Sequence, residues 1–191
     1  MIQAIIFDCF GVIITDALEQ LIVKAEAQDP NIRGQIVDLI HASNRGLVDP
    51  FESSTQVGKL LGMTYEEYRA AIQEGEIKDP DMIAWIKELR KSYKTALLSN
   101  IGRGSMSRRF TDDELQELFD VVATSGDLGM AKPDYEIYEY TAQQLGLEPE
   151  QCVFIDDRER HCAGAKAAGM HTILYETLPQ AKADLKKILA K

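Results

Sequence analysis

Residues 3–12, Gln3-Ala4-Ile5-Ile6-Phe7-Asp8-Cys9-Phe10-Gly11-Val12, decide the fold. The near-continuous apolar run reads as a strand covered on both faces, the pattern of a parallel sheet with helices on either side. It carries one carboxylate, Asp8, to its carboxyl end beside a tight glycine turn, and in such sheets ligands bind outside the carboxyl ends of the strands. Taken alone, Asp8 suits a turn or a helix cap at least as well. The residues downstream give it a chemical role.

Working outward, residues 16–78 contain no good strand. Instead Ala17 to Gln28, Ile32 to Ser43, Phe51 to Leu61 and Tyr65 to Glu74 repeat apolar residues at three and four, the period of amphipathic helices. Asp29-Pro30, Gly46 and Gly62 supply their stops. Alternation of strand and helix then resumes: a helix from Pro80 through Leu89, strands Lys94 to Leu98, Asp120 to Thr124, Cys152 to Ile155 and His171 to Tyr175, and helices Asp112 to Phe119, Tyr135 to Leu145, one through Ala168, and Pro179 to Lys191. The series predicts an α/β fold: a doubly wound parallel sheet, Rossmann-like, with a small α-helical insert leaving directly after the first strand. The expected division is a core of residues 1–14 and 80–191 with a helical cap of residues 15–79.

The chain has 191 residues, 45% hydrophobic and 27% charged, with a net charge of −10. Phosphate backbones are gripped by clustered Lys and Arg, so this balance speaks against nucleic acid, and equally against an anionic membrane surface. No apolar run approaches the ~18 residues of a membrane span, and the first strand begins at once with no leader, so a cytoplasmic protein is expected. Cys9, Cys152 and Cys162 are expected to be reduced, with neither disulfide nor zinc.

Polar residues end each of the first four strands: Asp8, Ser99-Asn100, Lys132-Pro133 and Asp156-Asp157. Singly, Ser99 suits a helix cap, Lys132 a solvated charge and the acid pair a helix start. Jointly they place a nucleophilic carboxylate, a hydroxyl donor, a fixed cation and further carboxylates around one crevice. Covalent hydrolysis of a phosphate ester requires that set.

The motifs Phe7-Asp8-Cys9-Phe10-Gly11-Val12, Leu98-Ser99-Asn100, Ala131-Lys132-Pro133 and Phe154-Ile155-Asp156-Asp157 resemble, in order and spacing, the haloacid dehalogenase superfamily. Ser125-Gly126-Asp127-Leu128-Gly129-Met130 and Ala163-Gly164-Ala165-Lys166-Ala167-Ala168-Gly169-Met170 are also similar to it. The resemblance implies the family's sheet with a small helical cap. It also implies Asp8 as nucleophile, Ser99 as a donor to phosphate oxygen, Lys132 as the neutralising cation, and Mg2+ held by Asp8, the Phe10 backbone carbonyl and Asp156, with Asp157 supporting. Asn100, Arg45 and Arg103 join Ser99 and Lys132 as expected substrate-binding residues. Arg108 and Arg109 read as a solvated face, and His161 as a residue that orients a carboxylate or titrates near neutrality, or that has no catalytic part.

One position departs from the family. Its phosphatases usually carry an aspartate two residues after the nucleophile, as the acid that protonates the leaving alcohol and the base that activates water; here the residue is Phe10. Losing a general acid costs about 10² to 10⁴ in rate. An aromatic residue there also resembles the 2-haloacid dehalogenase branch, but Asp156-Asp157 is the acidic, metal-binding form of the last motif. The expected function is therefore a Mg-dependent phosphatase acting weakly on a small phosphorylated metabolite through an aspartyl-phosphate on Asp8. The alternatives are a binding or regulatory protein with impaired catalysis and, after it, a dehalogenase.

Overall fold

The computed structural model describes residues 1–190. Five parallel strands, β1 (Ala4–Phe7), β2 (Lys94–Ser99), β3 (Val121–Thr124), β4 (Cys152–Asp156) and β5 (His171–Leu174), form one sheet in the order β3-β2-β1-β4-β5. β1 is central and entirely buried. Its alternating side chains feed two cores, Ile5 and Phe7 on one face and Ala4 and Ile6 on the other. That explains why the strand shows no polar alternation.

Helices α1 (Ala17–Glu26), α2 (Ile32–Asn44), α3 (Pro50–Leu60) and α4 (Tyr65–Gly75) lie between β1 and β2 and build a third cluster around Ile22, Ile36, Val57 and Tyr68. Their ends follow local rules. Asp49 caps α3 ahead of Pro50, and Thr64 with Glu67 forms a reciprocal capping box on α4. The chain enters and leaves this insert on adjacent tracks, with the Thr15 N–H donating to the Ile77 carbonyl at 3.0 Å and the Asp79 N–H to the Ile13 carbonyl at 2.9 Å. Two connections joined in this way fix where the four helices stand over the sheet.

Helices α5 (Pro80–Leu89), α6 (Asp112–Leu118), α7 (Ser125–Leu128), α8 (Tyr135–Gln144), α9 (Glu159–Ala167) and α10 (Leu178–Leu189) complete the chain. Element ends differ from the sequence expectation by a residue or two, as fraying termini do, and Lys191, expected in the last helix, lies outside the described residues. The one-turn helix α7 and the short 3₁₀ turns Met106–Arg108 and Pro149–Gln151 were not anticipated, because each is too brief to show a period. The three cysteines are free and buried. Among the described residues no helix is long and apolar enough to cross a membrane.

Candidate active site

The register of the sheet assembles the site. β1 pairs Phe7 with Leu97 on one side and with Ile155 on the other, so the residues that follow, Asp8 and Asp156, leave the sheet side by side. Past Asp8 the chain folds back sharply, with the Ile13 and Ile14 N–H groups both donating to the Cys9 carbonyl. Gly11 takes a φ of 81°, and a Cβ there would run into the Asp157 carboxylate. Only glycine meets both demands.

Lys132 sits between the two strand-end acids. Its Nζ lies 2.7 Å from Asp8 Oδ1 and 2.8 Å from Asp156 Oδ2, with the Lys132 and Asp156 side chains wholly buried. Asn100 holds the lysine's backbone through two bonds: its Nδ2 donates to the Lys132 carbonyl at 2.8 Å, and its Oδ1 accepts the Lys132 N–H at 2.9 Å. Burial alone would favour a neutral amine, yet the charges of Asp8 and Asp156 hold Lys132 above its ordinary value. Asp8 Oδ1 also accepts the Cys9 N–H at 2.6 Å.

Asp156 is the most heavily engaged acid. It accepts Lys132 Nζ, the Arg158 N–H at 2.8 Å, and His161 Nδ1, which lies 3.1 and 3.0 Å from its two oxygens. Burial opposes its ionisation, but the Lys132 charge and the His161 bond together hold it well below the usual carboxylate range. His161 is itself buried and is held below its ordinary value by that burial, with its Nδ1 turned toward the Asp156 carboxylate. Of the sequence readings of His161, orientation of a carboxylate matches this contact.

The remaining acids carry excess charge. Burial, reinforced by Asp156 and only partly offset by Lys132, pushes Asp8 up to about 8. Burial and then Asp156 push Asp157 up to about 6. Asp157 Oδ1 and Ser99 Oγ are buried with no hydrogen-bond partner. Three carboxylates facing one ammonium, with an orphaned carboxylate oxygen among them, are a hard-oxygen donor set that suits a divalent cation. The orphaned Ser99 hydroxyl suits a phosphoryl oxygen. Ligand atoms of Asp8, Asp156 and His161 also lie within 4.8 Å of one another, but the Asp156 oxygens already hold Lys132, Arg158 and His161.

Two expected substrate-binding residues are held by other partners, although Arg45 lines a small cavity together with Asn100 and Lys132. Arg45 forms an exposed ion pair with Asp134 at 2.6 Å, and Arg103 Nε donates to the Gly126 carbonyl at 3.2 Å. Arg109, read from sequence as solvated, is instead mostly covered. Its guanidinium stacks 5.1 Å over the Phe10 ring and pairs with Glu76 at 2.6 Å. Arg108 is exposed as expected. A cavity of about 200 Å³ opens beside Asp8, Phe10, Asn100 and Lys132 and extends between the sheet edge and the inserted helices.

Comparison with known proteins agrees with this architecture. A family model described as haloacid dehalogenase-like hydrolase matches residues 2–169. The bifunctional epoxide hydrolase 2 of Sus scrofa is 33% identical over 62% of the chain, but the match spans only 22% of that longer protein. The D-ribitol-5-phosphate phosphatase of Bacteroides thetaiotaomicron is 29% identical over 99% of both chains. A solved HAD family enzyme from the same organism, in complex with magnesium and inorganic phosphate, superposes with a TM-score of 0.73 at 21% identity, covering 92% of this chain and 95% of that one.

Proposed function

The chain belongs to the haloacid dehalogenase-like hydrolases, and on that premise we propose that it is a magnesium-dependent phosphatase of small phosphorylated metabolites. The observation that carries the reading is the buried contact of Lys132 Nζ with both Asp8 and Asp156 at the carboxyl ends of neighbouring strands. Full-length similarity to a D-ribitol-5-phosphate phosphatase supports the reaction, hydrolysis of a small molecule's phosphate ester, without fixing the alcohol. Residues 15–79 serve as the cap, residues 1–14 and 80–191 as the catalytic core, and the protein works in the cytoplasm.

In this reading Asp8 attacks phosphorus with the carboxylate oxygen that Lys132 does not hold. A bond from Asp8 to phosphorus forms, the ester oxygen leaves with its electron pair, and water then releases phosphate and restores Asp8. Lys132 Nζ and Ser99 Oγ donate to phosphoryl oxygens, and Asn100 fixes the lysine rather than touching substrate. Asp8, Asp157 and the Phe10 carbonyl would hold magnesium, the orphaned Asp157 Oδ1 being a better donor than the engaged oxygens of Asp156. That exchanges the roles expected within the acid pair. When bound, the metal neutralises the phosphoryl charge that otherwise repels a carboxylate.

A second reading rests on Phe10. With a phenyl ring packed under Arg109 in the acid/base position, the chain could bind phosphorylated ligands with little turnover. The acid pair sets the dehalogenase reading third. Release of phosphate from an aryl phosphate with magnesium, comparing the wild type with Asp8→Asn, tests the proposal: magnesium-dependent turnover lost in the variant is expected, and equal turnover in both would overturn it.

A further inference from the structure

Resting on the phosphatase reading above, we infer that the alcohol portion of the substrate is apolar, an alkyl or aryl group and not a polyol. The cavity beside Asp8 has two unlike ends. Its sheet end holds the charged groups already described, while its walls toward the inserted helices include Leu18, Ile40 and Ile72, backed by the buried Ile22, Ile36 and Tyr68 of the helices' own core, with Arg33, Ser43, Asn44, Ser53 and Ser54 among them. The apolar side chains come from three helices, α1, α2 and α4, so the apolar lining is a shared surface and not one stray residue. Phe10, where family phosphatases carry a carboxylate, extends that lining to the nucleophile.

Of the polar groups on these walls, Arg33 and Ser53 are already engaged, whereas Ser43, Asn44 and Ser54 face the cavity beside them. Arg33 donates through Nε, NH1 and NH2 to Glu19 and Glu26 at 2.7 to 3.0 Å, leaving little for a substrate hydroxyl. Ser53 Oγ donates to the Leu39 carbonyl at 3.3 Å. Sites that select hydroxylated ligands do so with convergent, unsatisfied donors and acceptors, whereas an aliphatic wall makes each buried hydroxyl forfeit its water. About 200 Å³ is of the order that accepts a small ring with a short chain, since an apolar cavity of about 150 Å³ takes up benzene.

Two esters with nearly equal leaving groups separate this inference from the catalytic reading beneath it. They are 4-propylphenyl phosphate and 4-(2,3-dihydroxypropyl)phenyl phosphate, assayed with magnesium alongside acetyl phosphate, whose organic part is too small to sample the walls. The expected result is turnover of all three, with kcat/KM for the propyl ester at least about tenfold above the dihydroxypropyl ester, the scale on which hydrophobic pockets discriminate. Turnover of acetyl phosphate with the two aryl esters equal, or with the diol preferred, would overturn the apolar assignment and leave the phosphatase standing. Failure to hydrolyse even acetyl phosphate would remove the phosphatase reading and the inference with it.

Discussion

Lys132 Nζ lies 2.7 Å from Asp8 Oδ1, and the same nitrogen lies 2.8 Å from Asp156. One buried ammonium thus holds together two strand ends that would repel each other. Replacing it by a neutral chain of similar length leaves the buried Asp156 carboxylate without its cation, at a cost of about 3 to 5 kcal/mol. Lys132→Met should lower the urea midpoint strongly at pH 7.5 and less at pH 5, where the acids can take up protons. Phosphatase turnover should fall by at least about 10²-fold. Equal urea midpoints for variant and wild type at pH 7.5 would show that the lysine carries no such burden.

Phe10 predicts a leaving-group signature. Without a general acid, turnover should depend steeply on the basicity of the departing alcohol, measured as the slope of log(kcat/KM) against leaving-group pKa. Phe10→Asp, which sets a carboxylate under the Arg109 guanidinium, should flatten that slope and raise turnover of alkyl esters by about 10² relative to aryl esters. An unchanged slope with magnesium still bound would mean that the missing acid is not the limitation.

Asp157 predicts a pH dependence of stability in metal-free protein. Its folded carboxyl is pushed up to about 6 from an ordinary value of 3.8, first by burial and then by Asp156. Between those values the folded state binds more protons than the unfolded one, so this residue's contribution to stability falls as pH rises from about 4 to 6 and is constant above. Asp157→Asn should therefore match the wild type near pH 4 and exceed it at pH 7.5 in thermal melts with a chelator present. A variant less stable than wild type at pH 7.5 would contradict the sign.

Magnesium should reverse that order. Binding to the native state alone raises the melting temperature with ligand concentration, so millimolar magnesium should stabilise the wild type at pH 7.5 and do so less at pH 5, where Asp157 holds its proton. Asp157→Asn should show little shift. An undiminished shift in Asp157→Asn would return the ligand role to Asp156.

The sheet and the positions of Asp8, Ser99 and Asp156 were legible in the sequence because each lies at the end of a strand, whereas Lys132 follows β3 only after the short helix α7 and was placed by its motif. In a parallel sheet, topology alone brings such ends to one edge. The roles of several side chains were not legible, because their partners are distant in sequence. Arg45 meets Asp134 89 residues away, and Arg103 meets the Gly126 carbonyl 23 residues away. Arg109 is drawn out of solvent by Glu76, 33 residues upstream, and by Phe10. Charge clustering said nothing of either contact. The division of work between Asp156 and Asp157 turned on His161 and Arg158, whose bonds depend on how α9 begins, a detail that adjacent acids in a sequence do not reveal.

In the proposed reaction Asp8 becomes phosphorylated. Mixing the enzyme and magnesium with an aryl phosphate labelled in the phosphoryl group, followed by an acid quench within the first turnover, measures this directly as label retained on the protein. Up to one label per wild-type chain is expected, released by mild base as an acyl phosphate is, and none on Asp8→Asn. Label retained equally on Asp8→Asn, or steady phosphate release by the wild type with no label at any time in a turnover whose second step is rate-limiting, would contradict it.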